Sequence, residues 1–79
     1  MTWTLTLEPE ATGPLFLRIA RGVMRDIRRG RLTPNQRLPG TRAWAKHLRI
    51  NRNTVVAAVA ELEAQGWVTT TPTRGTLAC

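Results

Sequence analysis

The stretch LRINRNTVVAAVAELEAQGW, residues 48–67, decides how this chain is read. Val55, Ala58, Val59 and Leu62 recur at helical spacing and line one face, so a helix is expected from about 52 to 65, ended by Gly66. Its first turn is unusually polar. Asn51 stands where an N-cap belongs, and Arg52, Asn53 and Thr54 follow it directly. Opposite the apolar face lie Asn53, Ala57, Ala60 and Ala64, so beyond the polar turn the outward stripe is mostly alanine. Such a cluster either caps the helix or is the working surface of the protein.

The segments on either side supply the context. Residues 41–48 carry Trp44, Ala45 and Leu48, which suits a helix of two turns with Gly40 or Thr41 as N-cap, and Arg49-Ile50 is then a tight turn. Residues 31–40, RLTPNQRLPG, read as a loop with at most a short extended piece at Arg37-Leu38. Upstream, Leu15, Ile19, Val23 and Ile27 recur every four residues with Phe16 and Ala20 beside them, predicting a helix over 14–29 that Gly30 terminates. Arg18, Arg21, Arg25 and Arg28 fall on its other face and are expected to be solvated. Residues 2–7 alternate Thr with large apolar side chains, as in a half-buried strand or extended arm. After the third helix, residues 67–71 are strand-like, 72–75 turn-like and 76–78 strand-like again, which makes a hairpin. Helix, loop, short helix, tight turn, helix and hairpin is the order of a winged helix-turn-helix, mainly α with a small β part. The arm is assigned to 1–13 and the winged domain to 14–79.

Seventy-nine residues leave room for one domain with one small core. Twelve Lys and Arg against five Asp and Glu give a net charge of +7, which points to a polyanionic partner, nucleic acid before an acidic membrane. Eleven of the twelve bases are Arg, the better residue for bidentate contacts to phosphate and guanine. Cys79 has no partner cysteine, so an intrachain disulfide is excluded and a reducing cytoplasm fits. No stretch approaches the roughly 20 apolar residues of a membrane span. The single histidine, His47, leaves no metal-ligand set, and no nucleophile–base–acid set or glycine-rich phosphate loop occurs, so catalysis is not expected.

In a helix-turn-helix the second helix enters the major groove by its N-terminal end. That places Arg52 to read guanine O6 and N7, Asn53 to read adenine, and Asn51 and Thr54 to cap the helix or bind phosphate. The alanine stripe would let the backbone approach the groove floor, with Ala57 able to touch a thymine methyl. Arg42, in the first turn of the short helix, is expected at a phosphate. Arg74 would stand at the wing tip, near the minor groove or flanking phosphates. The alternative keeps Asn51 as a cap only and Arg52 and Arg74 as ordinary surface residues. Trp44 and Trp67 are expected in the core, and Trp3 is left open.

From residue 14 onward the chain resembles the N-terminal DNA-binding domain of the GntR family of bacterial transcriptional regulators, most closely its MocR branch. PLFLRIARGVMRDIRRGRL, RLPGTRAWAKHL, NRNTVVAAVAELEAQGW and PTRGTLA carry the resemblance. It implies DNA contacts from Arg42, Asn51, Arg52, Asn53 and Thr54, and from the wing at Arg74 and Gly75, on a double-stranded operator bound by a homodimer. It also implies that a larger protein follows, with an aminotransferase-like domain holding pyridoxal phosphate. Lys46 is the only lysine here, so no cofactor Schiff-base site is assigned to this chain, and neither a membrane nor a small molecule is expected as its partner. Family members usually have Gly at the positions of Asn35 and Arg49 and near Thr73, Ser at Gly40 and Leu at Trp44. Gly40 with Ala43 removes a capping box from the short helix, and a left-handed Arg49 would cost about 1 kcal/mol. Two other functions stay open: a winged helix used for protein–protein contact or dimer assembly, and an accessory domain of an aminotransferase-type enzyme.

Overall fold

Four-residue apolar spacing does what it predicts. In the computed structural model, which describes Trp3, Leu5 and residues 12–79, α1 spans Leu15–Arg28 and buries Ile19, Ala20 and Val23. α2 spans Thr41–Leu48 and contributes Trp44 and Ala45, while α3 spans Arg52–Ala64 and contributes Val55, Ala58 and Leu62. β1, Val68–Thr71, and β2, Gly75–Ala78, pair antiparallel with Val68 opposite Ala78 and Thr71 opposite Gly75. Val68 and Ala78 close the core from the hairpin, and Leu32 and Leu38 close it from the loop. This is a winged helix-turn-helix, with α2 and α3 as the pair and the hairpin as wing.

All three helices end in the same hydrogen-bond pattern. Arg31 N–H donates to Asp26 O (2.9 Å) and Gly30 N–H to Ile27 O (3.2 Å) after α1. Ile50 to Ala45 (3.0 Å) and Arg49 to Lys46 (3.3 Å) repeat it after α2, and Trp67 to Leu62 (2.9 Å) and Gly66 to Glu63 (3.1 Å) after α3. These are Schellman motifs, whose closing residue is left-handed. Gly30 and Gly66 fill that place in two of them; in the third it is Arg49, with φ 58°. Asn35 is the other non-glycine residue with positive φ, at 68°. Asn visits that region at little cost and Arg does not.

The short extended piece at Arg37-Leu38 is a third rung on the wing. Arg37 bridges Leu77, and Leu38 N–H donates to Thr76 O (2.8 Å). Asn35 N–H reaches Ala78 O (2.7 Å), and Ala78 N–H returns to Gln36 O (2.9 Å).

Most of the strand or arm expected over 2–7 lies outside the described residues. Trp3 and Leu5, which are described, are buried. Leu5 lies over Gly22, where an added Cβ would come within 2.8 Å of Leu5 Cδ1. Trp3 meets Trp44 edge-to-face at 5.8 Å and donates its indole N–H to Asp26 Oδ2 at 2.9 Å. Asp26 is fully buried, and Arg25 Nε (3.4 Å) and an Arg31 guanidinium nitrogen (3.5 Å) face its other oxygen. A buried carboxylate needs such partners.

Two expectations change in detail. The arginine face of α1 is only partly solvated: Arg18 and Arg25 are half-buried, and Arg21 donates to Thr12 O at 3.1 Å. Trp44 takes the core place where Leu is usual, but Trp67 is half-buried at the core margin, with the Arg28 guanidinium 5.9 Å from its ring.

Candidate nucleic-acid interface

The polar turn of α3 is built by its cap. Asn51 is extended (φ −67°, ψ 136°), and its Oδ1 accepts from Asn53 N–H at 2.8 Å. That satisfies one of the free N–H groups at the helix start. The bond also holds the turn so that Arg52 and Asn53 are both exposed. Arg52 Nε donates to Thr41 Oγ1 at 3.4 Å, which ties the start of α3 to the start of α2. Arg42, the next residue of α2, is exposed. The two helix starts therefore present Arg42, Arg52 and Asn53 together. No side chain caps α2, whose N-cap is Gly40.

Thr54 is placed differently from its neighbours. It is half-buried and, with Asn53 and Ala57, lines a shallow depression against Leu15 and Phe16 of α1. Asn53, Ala60 and Ala64 of the outward stripe are exposed, and Ala57 is half-buried.

Arg74 is exposed at the wing turn, where its N–H donates to Thr71 Oγ1 at 3.0 Å. The wing is braced on the far half of α3, where Glu63 Oε2 accepts from Thr70 N–H at 3.1 Å. Gly75 follows Arg74 as the first residue of β2.

Two exposed residues join the site that the sequence did not single out. The guanidinium of Arg37 lies over Gly75, where an added Cβ would sit 3.5 Å from Arg37 Nε. Gly75, at φ 77°, allows both the turn and this approach. The wing thus carries two arginines, one from the tip and one from the rung beside it. The sequence marks residues 37–38 only as a short extended piece, and their pairing with β2 appears only in the fold. The other is Val56, 46% exposed and four residues after Arg52.

Charge follows the same geography. Residues 27–60 contain eight Lys and Arg and no Asp or Glu. The acids nearest in sequence lie at the ends of that run. Asp26 is enclosed in the core, and Glu61 and Glu63 bond Gln65 and Thr70 at the far end of α3. Among the described residues, the starts of α2 and α3 therefore form a positive surface whose N–H groups add a further attraction for anions. Among the described residues no cluster could hold a metal ion, and no helix is long and apolar enough to cross a membrane.

Residues 15–77 match the family described as bacterial regulatory proteins, gntR family. The chain belongs to the GntR family. Among its relatives, the HTH-type transcriptional regulator TauR of Rhodobacter capsulatus is 40% identical over 62 residues, 78% of this chain and 13% of TauR. Among solved structures, the GntR-family transcription factor YtrA from Sulfolobus acidocaldarius superposes with a TM-score of 0.84 at 27% identity, covering 94% of this chain and 78% of that one. The AraR DNA-binding domain, solved in complex with operator ORX1, gives 0.79 at 21% identity, covering 95% and 93%; that likeness is one of fold. The GntR chain spans less than two thirds of the length of each curated relative it matches.

Proposed function

We propose that this GntR domain is a sequence-specific reader of double-stranded DNA in a bacterial transcriptional regulator. The observation that carries it is the capped first turn of α3, which presents Arg52 and Asn53 beside Arg42 within a run of sequence, residues 27–60, that holds eight bases and no acid. In this reading α3 enters the major groove by that turn. Arg52 forks onto a guanine, Asn53 faces an adenine, and the Asn51 and Arg42 end of the site takes phosphate. Thr54, half-buried, acts through its backbone. The wing lays Arg74, Gly75 and Arg37 along flanking phosphates. The names of its relatives support the reading, TauR as an HTH-type transcriptional regulator and YtrA as a transcription factor.

Within the family we place the chain in the MocR branch, on the motifs quoted above. The matched segment is 13% of TauR, so in that relative a far larger portion lies outside the reader. The reading assigns pyridoxal phosphate to an aminotransferase-like domain of such a protein and no cofactor to this one, whose single lysine, Lys46, is exposed on α2. It also assigns action as a homodimer, in which two half-sites multiply affinity through effective concentration, and a cytoplasmic location.

The test is selection of bound duplexes from a random pool, followed by anisotropy titration over a salt series. A selected sequence that binds more tightly than unrelated duplexes, with a preference lost in Arg52→Ala, is expected. Equal affinity for all duplexes would refute the reading. A tight dimer indifferent to DNA would instead favour a protein-contact module.

A further inference from the structure

Val56 is the one large apolar side chain among the described residues that stands exposed, at 46%. Isolated apolar residues are common on surfaces, so exposure alone decides nothing. Its position does. Four residues separate it from Arg52, which puts both on one stripe of α3, about 40° apart around the axis. Its other neighbours along the helix surface are Asn53, Val59 and Ala60, of which Asn53 and Ala60 are exposed and none is charged. The stripe therefore begins with a guanidinium and continues with a bare isopropyl group in the acid-free part of the chain.

We propose that Val56 reads the 5-methyl group of a thymine in the major groove, as a second specificity residue beside Arg52. The inference rests on the DNA-reading assignment and adds a base chemistry to it. The thymine methyl is the only apolar group on the major-groove edges of the four bases, so an apolar side chain there discriminates by contact with it. Valine suits the task because its branched Cβ holds nearly one rotamer in a helix, so little freedom is lost on contact. Four residues of helix advance about 6 Å, and base pairs stack about 3.4 Å apart. The thymine therefore lies about two base pairs from the guanine that Arg52 contacts. The basic surroundings favour DNA over a second protein as the occupant of this position.

The experiment takes a duplex selected by the protein and replaces each thymine in turn by uracil, which removes the methyl and leaves every hydrogen bond. Burial of one methyl predicts about fourfold weaker binding at one position per half-site, about two base pairs from the position at which Arg52→Ala loses guanine preference. Val56→Ala should bind thymine and uracil duplexes equally there, with an unchanged salt slope and an unchanged circular dichroism spectrum. Val56→Ile should retain the discrimination. If sequence preference is present and no thymine shows a methyl effect, the inference fails while the reading of DNA stands. A methyl effect that survives in Val56→Ala also overturns it and moves the contact to another side chain, such as Ala57. Loss of self-association in Val56→Ala without any change in methyl discrimination overturns it in favour of a contact between copies. If no sequence is selected at all, both assignments fall.

Discussion

Replacing Trp3 by Phe tests the buried clasp between the start of the chain and α1. Phe keeps an aromatic ring against Trp44 but removes the N–H that reaches Asp26 Oδ2 at 2.9 Å. Asp26 is fully buried, and its remaining side-chain partners, Arg25 and Arg31, are distant at 3.4 and 3.5 Å. The lost bond is thus the shortest one to a charged acceptor that water cannot replace. Hydrogen bonds to charged groups contribute about 1.5–3 kcal/mol, so a loss of about 2 kcal/mol is expected. A domain of this length is stable by roughly 4–12 kcal/mol in all, which makes the loss a sizeable fraction. With a urea slope of about 1 kcal/mol per molar, the midpoint should fall by about 2 M. Urea unfolding followed by circular dichroism measures this without relying on the fluorescence of the residue removed. Asp26→Ala and the double variant complete a cycle that isolates the contact from the lost ring area. A Trp3→Phe change below about 0.5 kcal/mol, or a coupling near zero, would show that the clasp does not hold α1 as described.

Other expectations follow from the site. Arg37→Ala should weaken binding evenly across duplexes and lower the magnitude of the salt slope by about 1, without changing the selected sequence; a change of sequence preference would place Arg37 at a base. Arg52→Ala should flatten discrimination at one base pair by about 1–3 kcal/mol, read by competition between the selected duplex and its single-base variants. Arg49→Gly should raise stability by about 1 kcal/mol, because Arg49 has φ 58° and glycine adopts that conformation freely. Thermal unfolding detects it, and a lower melting temperature would refute the strain.

The parts legible in the sequence were those governed by local rules. The helix boundaries follow from apolar spacing and from the terminators Gly30 and Gly66, and the N-cap role of Asn51 follows from its place before a periodic run. Asp26 could not be read that way. Its shortest side-chain bond comes from Trp3, 23 residues earlier in the chain, and in a helix whose other face is arginine it looks like one more solvated charge. Arg37 was hidden for a similar reason. Only the pairing of residue 37 with Leu77 brings its guanidinium over Gly75, and a loop holding two prolines gives no local sign of a strand partner.

Asn35 and Arg49 tie the two scales together. Both stand where the family usually has glycine, and both keep the left-handed backbone that glycine would favour. A single residue with an unfavourable φ holds it only when its surroundings over-determine it. For Arg49 the surroundings are the paired bonds from Ile50 to Ala45 and from Arg49 to Lys46, which close α2 whatever the side chain is. For Asn35 they are the bonds from its own N–H to Ala78 and from Ala78 to Gln36, which pin the loop to β2. These two residues bracket α2. The loop that leads into α2 is thus tied to the wing by backbone bonds, and the end of α2 is closed by its own, although the helix lacks a side-chain cap and is only eight residues long. Thr41, the first residue of α2, accepts the bond from Arg52, so the helix held between these two junctions also carries the partner of the guanidinium that leads the recognition turn.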